Sequence, residues 1–176
     1  MKIILIATLA TSISLTALAQ SDSVNLPLKG RIVSYETALP VQHRKAKDIS
    51  AESAKWITET FKEIKEPKPA TKITDGKVDG TGIIKVTIND GGDYYWLKFS
   101  ITMRVTDSTA IFRAFDFYEK PTFPGVTNDW SKIEYRWRDF RKGKPWSPGD
   151  AKLFAGVDAG VRSLTKSFGE VVGGSK

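Results

Sequence analysis

The chain has 176 residues, no cysteine, a single histidine (His43) and five tryptophans; its 27 basic and 20 acidic residues give a net charge of +7. Without cysteine there are no disulfides, thiol nucleophiles, thiolate metal sites or lipid-bearing N-terminal cysteine, so the fold must rest on its core. A surplus of positive charge favours anionic partners.

Lys2 is the only charge before Asp22, an apolar run extends from Ile3 to Leu15, and Ala17-Leu18-Ala19 offers small residues where a signal peptidase reads them. This pattern predicts a secretory signal peptide over 1–19, cleaved before Gln20. A membrane anchor is disfavoured, because the run falls short of the ~20 residues a bilayer needs. The expected location is outside the cytoplasm, in a bacterial periplasm or secreted. Residues 20–28 read as a flexible leader, 29–172 as one α+β domain and 173–176 as a tail.

Val33, Tyr35, Thr37 and Leu39 alternate along a strand from Lys29 to Leu39, which Pro40 ends. Ile49, Ser53, Trp56, Ile57, Phe61 and Ile64 recur at three- and four-residue steps, predicting a helix capped by Asp48 or Ser50 and stopped by Pro67 and Pro69. A short strand at Thr71–Thr74 and a turn-rich patch from Asp75 to Gly82 follow. Ile84, Val86 and Ile88 then alternate up to the Asn89-Asp90-Gly91-Gly92 turn. In the next strand Tyr95, Leu97, Phe99, Ile101, Met103 and Val105 share one face; Trp96, Lys98, Ser100, Thr102 and Arg104 share the other. Thr106-Asp107-Ser108 turns the chain into a strand from about Thr109 to Tyr118. A two-residue turn pairs Met103 with Phe112, a three-residue turn pairs it with Ile111, and the choice decides which face Phe115 and Phe117 take.

Pro121 and Pro124 break the sheet. Trp130 to Lys142 fits a strand through Ile133, Tyr135 and Trp137, or a helix through Trp130, Ile133, Trp137 and Phe140. A Ser131–Glu134 capping box and Gly143 favour the helix. A final helix opens with Ser147 as cap and Pro148 at its first position. Its stripe is Leu153, Phe154, Val157, Val161, Leu164, Phe168 and Val171, and Gly173-Gly174 ends it.

The order β-α-β-β-β-β-α predicts an antiparallel sheet of about five strands with helices on one face. TATA-binding-protein-like (TBP-like) and cystatin-like architectures both satisfy it. Ala54-Lys55-Trp56-Ile57 with Phe61, a Gly80-Thr81-Gly82 turn before a β-rich run, and the Asp107 hairpin carry a resemblance. Over roughly Arg31 to Val172 the chain resembles an exported bacterial domain-of-unknown-function family with a TBP-like fold. Ser108 stands where such a hairpin usually has Gly, and the stretch from Trp130 to Trp146 looks like an addition. The resemblance implies a fold and no catalytic residues.

That stretch holds Trp130, Trp137 and Trp146, with Lys132, Arg136, Arg138, Arg141, Lys142 and Lys144 opposed only by Glu134 and Asp139. Indoles suit sugar rings and membrane headgroups, and guanidinium forks suit phosphate or carboxylate. Trp130, Arg136, Trp137, Arg138, Arg141 and Trp146 are therefore the candidate ligand-binding residues. The competing reading is an amphipathic element with Trp137 and Phe140 packed on the sheet. Asp75-Gly76, Asp79-Gly80 and Asp90-Gly91-Gly92-Asp93 make turns without the ligand spacing of a calcium loop. One histidine and no cysteine leave a poor zinc set, and no serine lies in a nucleophile elbow. No cofactor or metal is expected.

These features predict a non-catalytic binding or accessory module of the bacterial cell envelope, contacting an anionic glycan, a lipid surface or a partner protein. The contact would use the basic aromatic segment or the sheet face the helices leave open; nucleic acid is not expected. The alternatives are a carboxylate-dependent hydrolase using Asp116 with Glu119 and an inhibitor-like domain.

Overall fold

The computed structural model describes residues 24–41, 44–63, 71–143 and 149–174. The predicted signal peptide, Ile64, Trp146 and the Ser147–Pro148 cap lie outside these residues. Seven strands form one antiparallel sheet: β1 (Leu28–Lys29), β2 (Ile32–Pro40), β3 (Thr71–Thr74), β4 (Lys77–Thr87), β5 (Tyr94–Val105), β6 (Thr109–Pro121) and β7 (Ser131–Lys132). Their spatial order is β1-β2-β6-β5-β4-β3, with the short β7 also paired to β6. The helices among the described residues are α1 (Ala46–Thr60), α2 (Ile133–Arg141) and α3 (Asp150–Gly173). The strand predicted from Lys29 to Leu39 is β2, which begins at Ile32; its first residues belong to a tight hairpin in which Gly30, at φ 67°, turns β1 back on β2.

The central strand β5 alternates as predicted. Tyr95, Leu97, Phe99, Ile101 and Met103 are fully buried beneath the helices, while Tyr94, Trp96, Lys98, Ser100 and Thr102 are half-exposed on the opposite face. Trp56 of α1 is the hub of the helix side. Its ring meets Phe61, Phe112 and Phe168 at 5.4–6.3 Å, and its Nε1 donates to Ser167 Oγ at 3.1 Å. Those contacts tie α1, β6 and α3 together through burial of large aromatic area.

The hairpin register is settled by pairing. Met103 faces Phe112, so the loop has the two residues Asp107 and Ser108. That register puts Phe115 on the open face, yet Phe117 is wholly buried. A bulge reconciles them. The ladder shifts between Lys98 and Ser100, and Asp116 sits at φ 58°. One extra residue reverses the inside–outside phase: Ala110, Phe112 and Ala114 face the core before it, Phe117, Glu119 and Pro121 after it.

Three further sequence expectations are corrected. The run Gly80-Thr81-Gly82 is not a turn; it lies inside β4, which leaves the tight Asp75-Gly76 turn (φ 43° and 72°) and continues to Thr87. Gly82 is there because a Cβ would stand 2.5 Å from Phe99 Cε2. Neither Asp48 nor Ser50 caps α1. Asp107 of the β5–β6 hairpin does so from across the fold, its Oδ1 accepting from Ala46 N–H at 3.0 Å. Glu134 does not close a capping box with Ser131, because its Oε1 accepts from Val33 N–H at 2.9 Å. The physical reason is the bulge: the β2–β6 ladder stops at Ser34–Phe115, and the next inward N–H of β2 needs another acceptor.

In α3, Leu153, Phe154, Val157, Val161, Phe168 and Val172 are buried, with Leu164 and Val171 only partly so. Glycines let this helix approach β4. A Cβ on Gly149 would lie 2.5 Å from Ile88, one on Gly160 2.6 Å from Ile84, and one on Gly156 would overlap Val86. Helix propensity alone makes Gly156→Ala stabilising by about 1 kcal/mol. We expect the opposite sign: a loss of about 1–3 kcal/mol through overpacking, read from urea denaturation. Asp107→Ala removes the remote cap and should cost about 1 kcal/mol in the same assay.

Candidate functional site

Of the six sequence-selected residues Trp146 lies outside the described ones, and the other five do not form one surface. Trp137 is 2% exposed, stacked on Phe140 at 5.9 Å and edge-on to Phe154 at 4.9 Å. The competing amphipathic reading therefore describes this tryptophan. Arg136 is enclosed as well, its Nε donating to Glu119 Oε1 at 2.7 Å and its Nη1 to Asp150 Oδ1 at 3.1 Å. Arg138 and Arg141 are exposed on α2, over the rings of Tyr135 and Trp137. Trp130 points elsewhere, onto the face of the sheet that no helix covers.

On that face the register assembles a patch that the sequence separates widely. Lys85 of β4 faces Trp96 of β5, which faces Lys120 of β6. The Trp130 ring extends this row, with Lys120 Nζ at 5.8 Å. In the adjacent row Ile83 faces Lys98, Lys98 faces Tyr118, and Tyr118 faces Lys132 of β7. Cations and rings thus alternate in both directions. Lys98 Nζ lies 4.6 Å from the Trp130 ring and 5.3 Å from Tyr118; Lys132 Nζ lies 5.5 Å from Tyr118; Lys85 Nζ lies 4.0 Å from Tyr94. Tyr94 in turn meets Trp96 edge-on at 5.6 Å. Each ring holds its ammonium by the quadrupole attraction and limits the stem's freedom. Lys132 also pairs with Asp116 at 3.3 Å, and that contact holds its ammonium above the usual lysine range. Among the described residues no carboxylate pairs with Lys85, Lys98 or Lys120.

Sequence reasoning saw half of this patch. The alternation of β5 places Trp96 and Lys98 outward, but only the register of four strands brings them beside Tyr118, Lys120 and Trp130. The bulge hid the rest, since an unbroken β6 would turn Tyr118 and Lys120 inward.

The other face carries a buried polar cluster. Glu119 is 2% exposed, its Oε1 held by Arg136 and its Oε2 without a hydrogen-bond partner among the described residues. Burial raises its pKa and outweighs the lowering by Arg136. Burial also works against the Arg136 charge, but Glu119 and Asp150 keep it above the usual range. Glu119 and Arg136 line a cleft of about 500 Å³ with Tyr95, Phe123 and Asp129. Asp116 and Glu119, the pair considered for hydrolysis, fall on opposite faces of the sheet. Among the described residues no cluster of three His, Asp or Glu could hold a metal ion, and no helix is long and apolar enough to cross a membrane.

A twisted antiparallel sheet with helices on one face and the other left open defines a TBP-like α+β protein. The chain is similar to the crystal structure of a TBP-like protein from Parabacteroides distasonis, with a TM-score of 0.68 and 14% identity over 84% of this chain and 96% of that one. It is also similar to a DUF4468 family protein from Bacteroides ovatus, with a TM-score of 0.63 and 16% identity over 82% and 90% of the two chains. No family model and no curated protein matches the sequence. The likeness is therefore one of fold, and the expected TBP-like architecture, rather than the cystatin-like alternative, is the one these structures share.

The Glu119 shift has a checkable sign. A carboxyl whose folded-state pKa is raised contributes stability below the unfolded pKa and loses it as pH rises through the folded one. Relative to Glu119→Gln, the native protein should gain stability as pH falls through the carboxylate range. Denaturation midpoints of both proteins across that range test it, and a constant difference would contradict the buried-charge account.

Proposed function

We propose that this is an exported, non-catalytic binding module of the bacterial envelope that takes an anionic partner on its open sheet face. The observation that carries the proposal is the set of three lysines, Lys85, Lys98 and Lys120, held over aromatic rings with no carboxylate partner among the described residues. An ammonium fixed in place and left uncompensated lowers the cost of bringing an anion to it, because its ordering precedes binding. The N-terminal pattern over 1–19 supports the location, and the net positive charge supports the sign of the partner.

This moves the contact surface away from α2. Arg136 is engaged by two carboxylates and Trp137 is core, so Trp130 is the residue shared between the sequence-selected set and the open face. Heparin-resin chromatography separates the two surfaces. The triple variant Lys85→Gln/Lys98→Gln/Lys120→Gln should elute at markedly lower salt than the native protein, since exposed charge contacts are screened by ions. Arg138→Gln/Arg141→Gln should shift elution less. Equal elution of the triple variant and the native protein would refute the open-face assignment.

A further inference from the structure

We infer that the occupant of the open face is an acidic, unbranched polysaccharide laid across β4 to β7, its sugar rings on Trp96 and Trp130 and its acid groups on Lys98 and Lys120. The inference rests on the anionic-partner reading above and adds the chemistry of the partner.

Three observations lead to it. The first is alternation: Lys85, Trp96 and Lys120 are paired across β4, β5 and β6, and the Trp130 ring, just before β7, stands next to Lys120, so cations and rings alternate along the row. A charged stretch of lysines alone would suit any polyanion, but this order suits a polymer in which planar units and charges also alternate. The second is spacing. Neighbouring strands lie about 4.8 Å apart, of the same order as one pyranose ring and its link, so a chain running across the strands meets a new side chain at each sugar. The third is how far the rings are covered. Trp96, Tyr118 and Trp130 are half-buried, so none is a fully protruding apolar group. The exposed large apolar side chains of the protein, such as Ile32, Ile73 and Tyr135, belong to neither row. Insertion into a bilayer needs protruding apolar groups, whereas stacking by a sugar needs an accessible ring face.

The second row adds depth to the same surface. Lys98 is shared between Tyr118 and Trp130, at 5.3 and 4.6 Å, so one ammonium stands at the junction of two ring positions. Asp116 beside Lys132 closes the patch at its β7 end with a negative charge, which places the acid groups toward Lys98 and Lys120.

Calorimetric titration with four probes tests the inference: alginate oligomers, a linear polyuronate; poly-L-glutamate of matched charge; phosphatidylglycerol vesicles; and a thymidine oligonucleotide. Alginate should bind roughly tenfold more tightly than polyglutamate, the difference being the ring contacts. Trp96→Ala and Trp130→Ala, made separately and checked by thermal unfolding, should each erase most of that difference. Because Trp96 lies in β5 and Trp130 in the segment leading into β7, a folding defect in one variant leaves the other informative. Equal affinity for alginate and polyglutamate, or tighter binding of vesicles or oligonucleotide, would overturn the polysaccharide while leaving the anionic-partner reading intact. Failure of all four probes to bind would overturn both.

Discussion

One residue out of step in β6 governs both faces of this protein. Asp116 takes a left-handed conformation, φ 58°, that costs a non-glycine residue about 1 kcal/mol or more, although Asp tolerates it better than most. In return the strand can bury Phe112 and Ala114 on one side of the bulge and Phe117 on the other. The same reversal turns Tyr118 and Lys120 outward. It also ends the pairing of β6 with β2 and leaves that edge to β7, which carries Lys132 to the open face with Trp130 just before it. The core and the candidate surface are therefore two consequences of a single backbone irregularity.

The open face exists because the helices crowd the other. Gly149 at its N-cap and Gly156 and Gly160 within it seat α3 against Ile88, Val86 and Ile84, and Trp56 closes the remaining space between α1, β6 and α3. All three helices find their apolar partners on that one side, so the opposite side needs none. What the sequence places there is polar and aromatic, with side chains whose ring bodies pack on the sheet while their charges stay in water. Ile83 shows how closely the patch is built: it is 5% exposed, yet it stands on the open face opposite Lys98.

Much of this was legible in residue order alone. The period of β5 and the stripe of α3 follow from apolar spacing, which is a local property; that spacing left Trp130–Lys142 open between strand and helix, and Gly143 rather than the unformed Ser131–Glu134 box marks where α2 stops. The misreadings share one cause: each concerns a group whose partner is far away in sequence. Asp107 caps α1 from 61 positions away, and Glu134 serves Val33 across 101. Gly80-Thr81-Gly82 reads as a turn until Phe99 is known to lie against Gly82. The candidate site suffered in the same way. Charge density along the chain pointed to Trp130–Trp146, but a sheet gathers its surface across strands, so a patch can be dense in space and sparse in sequence.

The arginines and lysines are divided by what their head groups do well. A guanidinium offers a rigid fork of donors and serves where two fixed partners must be bridged. Arg136 bridges Glu119 and Asp150, and Arg44 joins Glu52 to the Val171 carbonyl near the end of α3. The patch of Lys85, Lys98, Lys120 and Lys132 on the open face instead uses lysines, whose compact ammonium adapts its direction while a ring steadies the stem. Rigid forks thus lock the helices to the sheet and to each other, and adaptable charges face outward. A basic protein that engages Arg136 and Arg44 in internal bridges presents less recognition surface than its net charge suggests. The cations that matter for a partner are those that the fold leaves uncompensated.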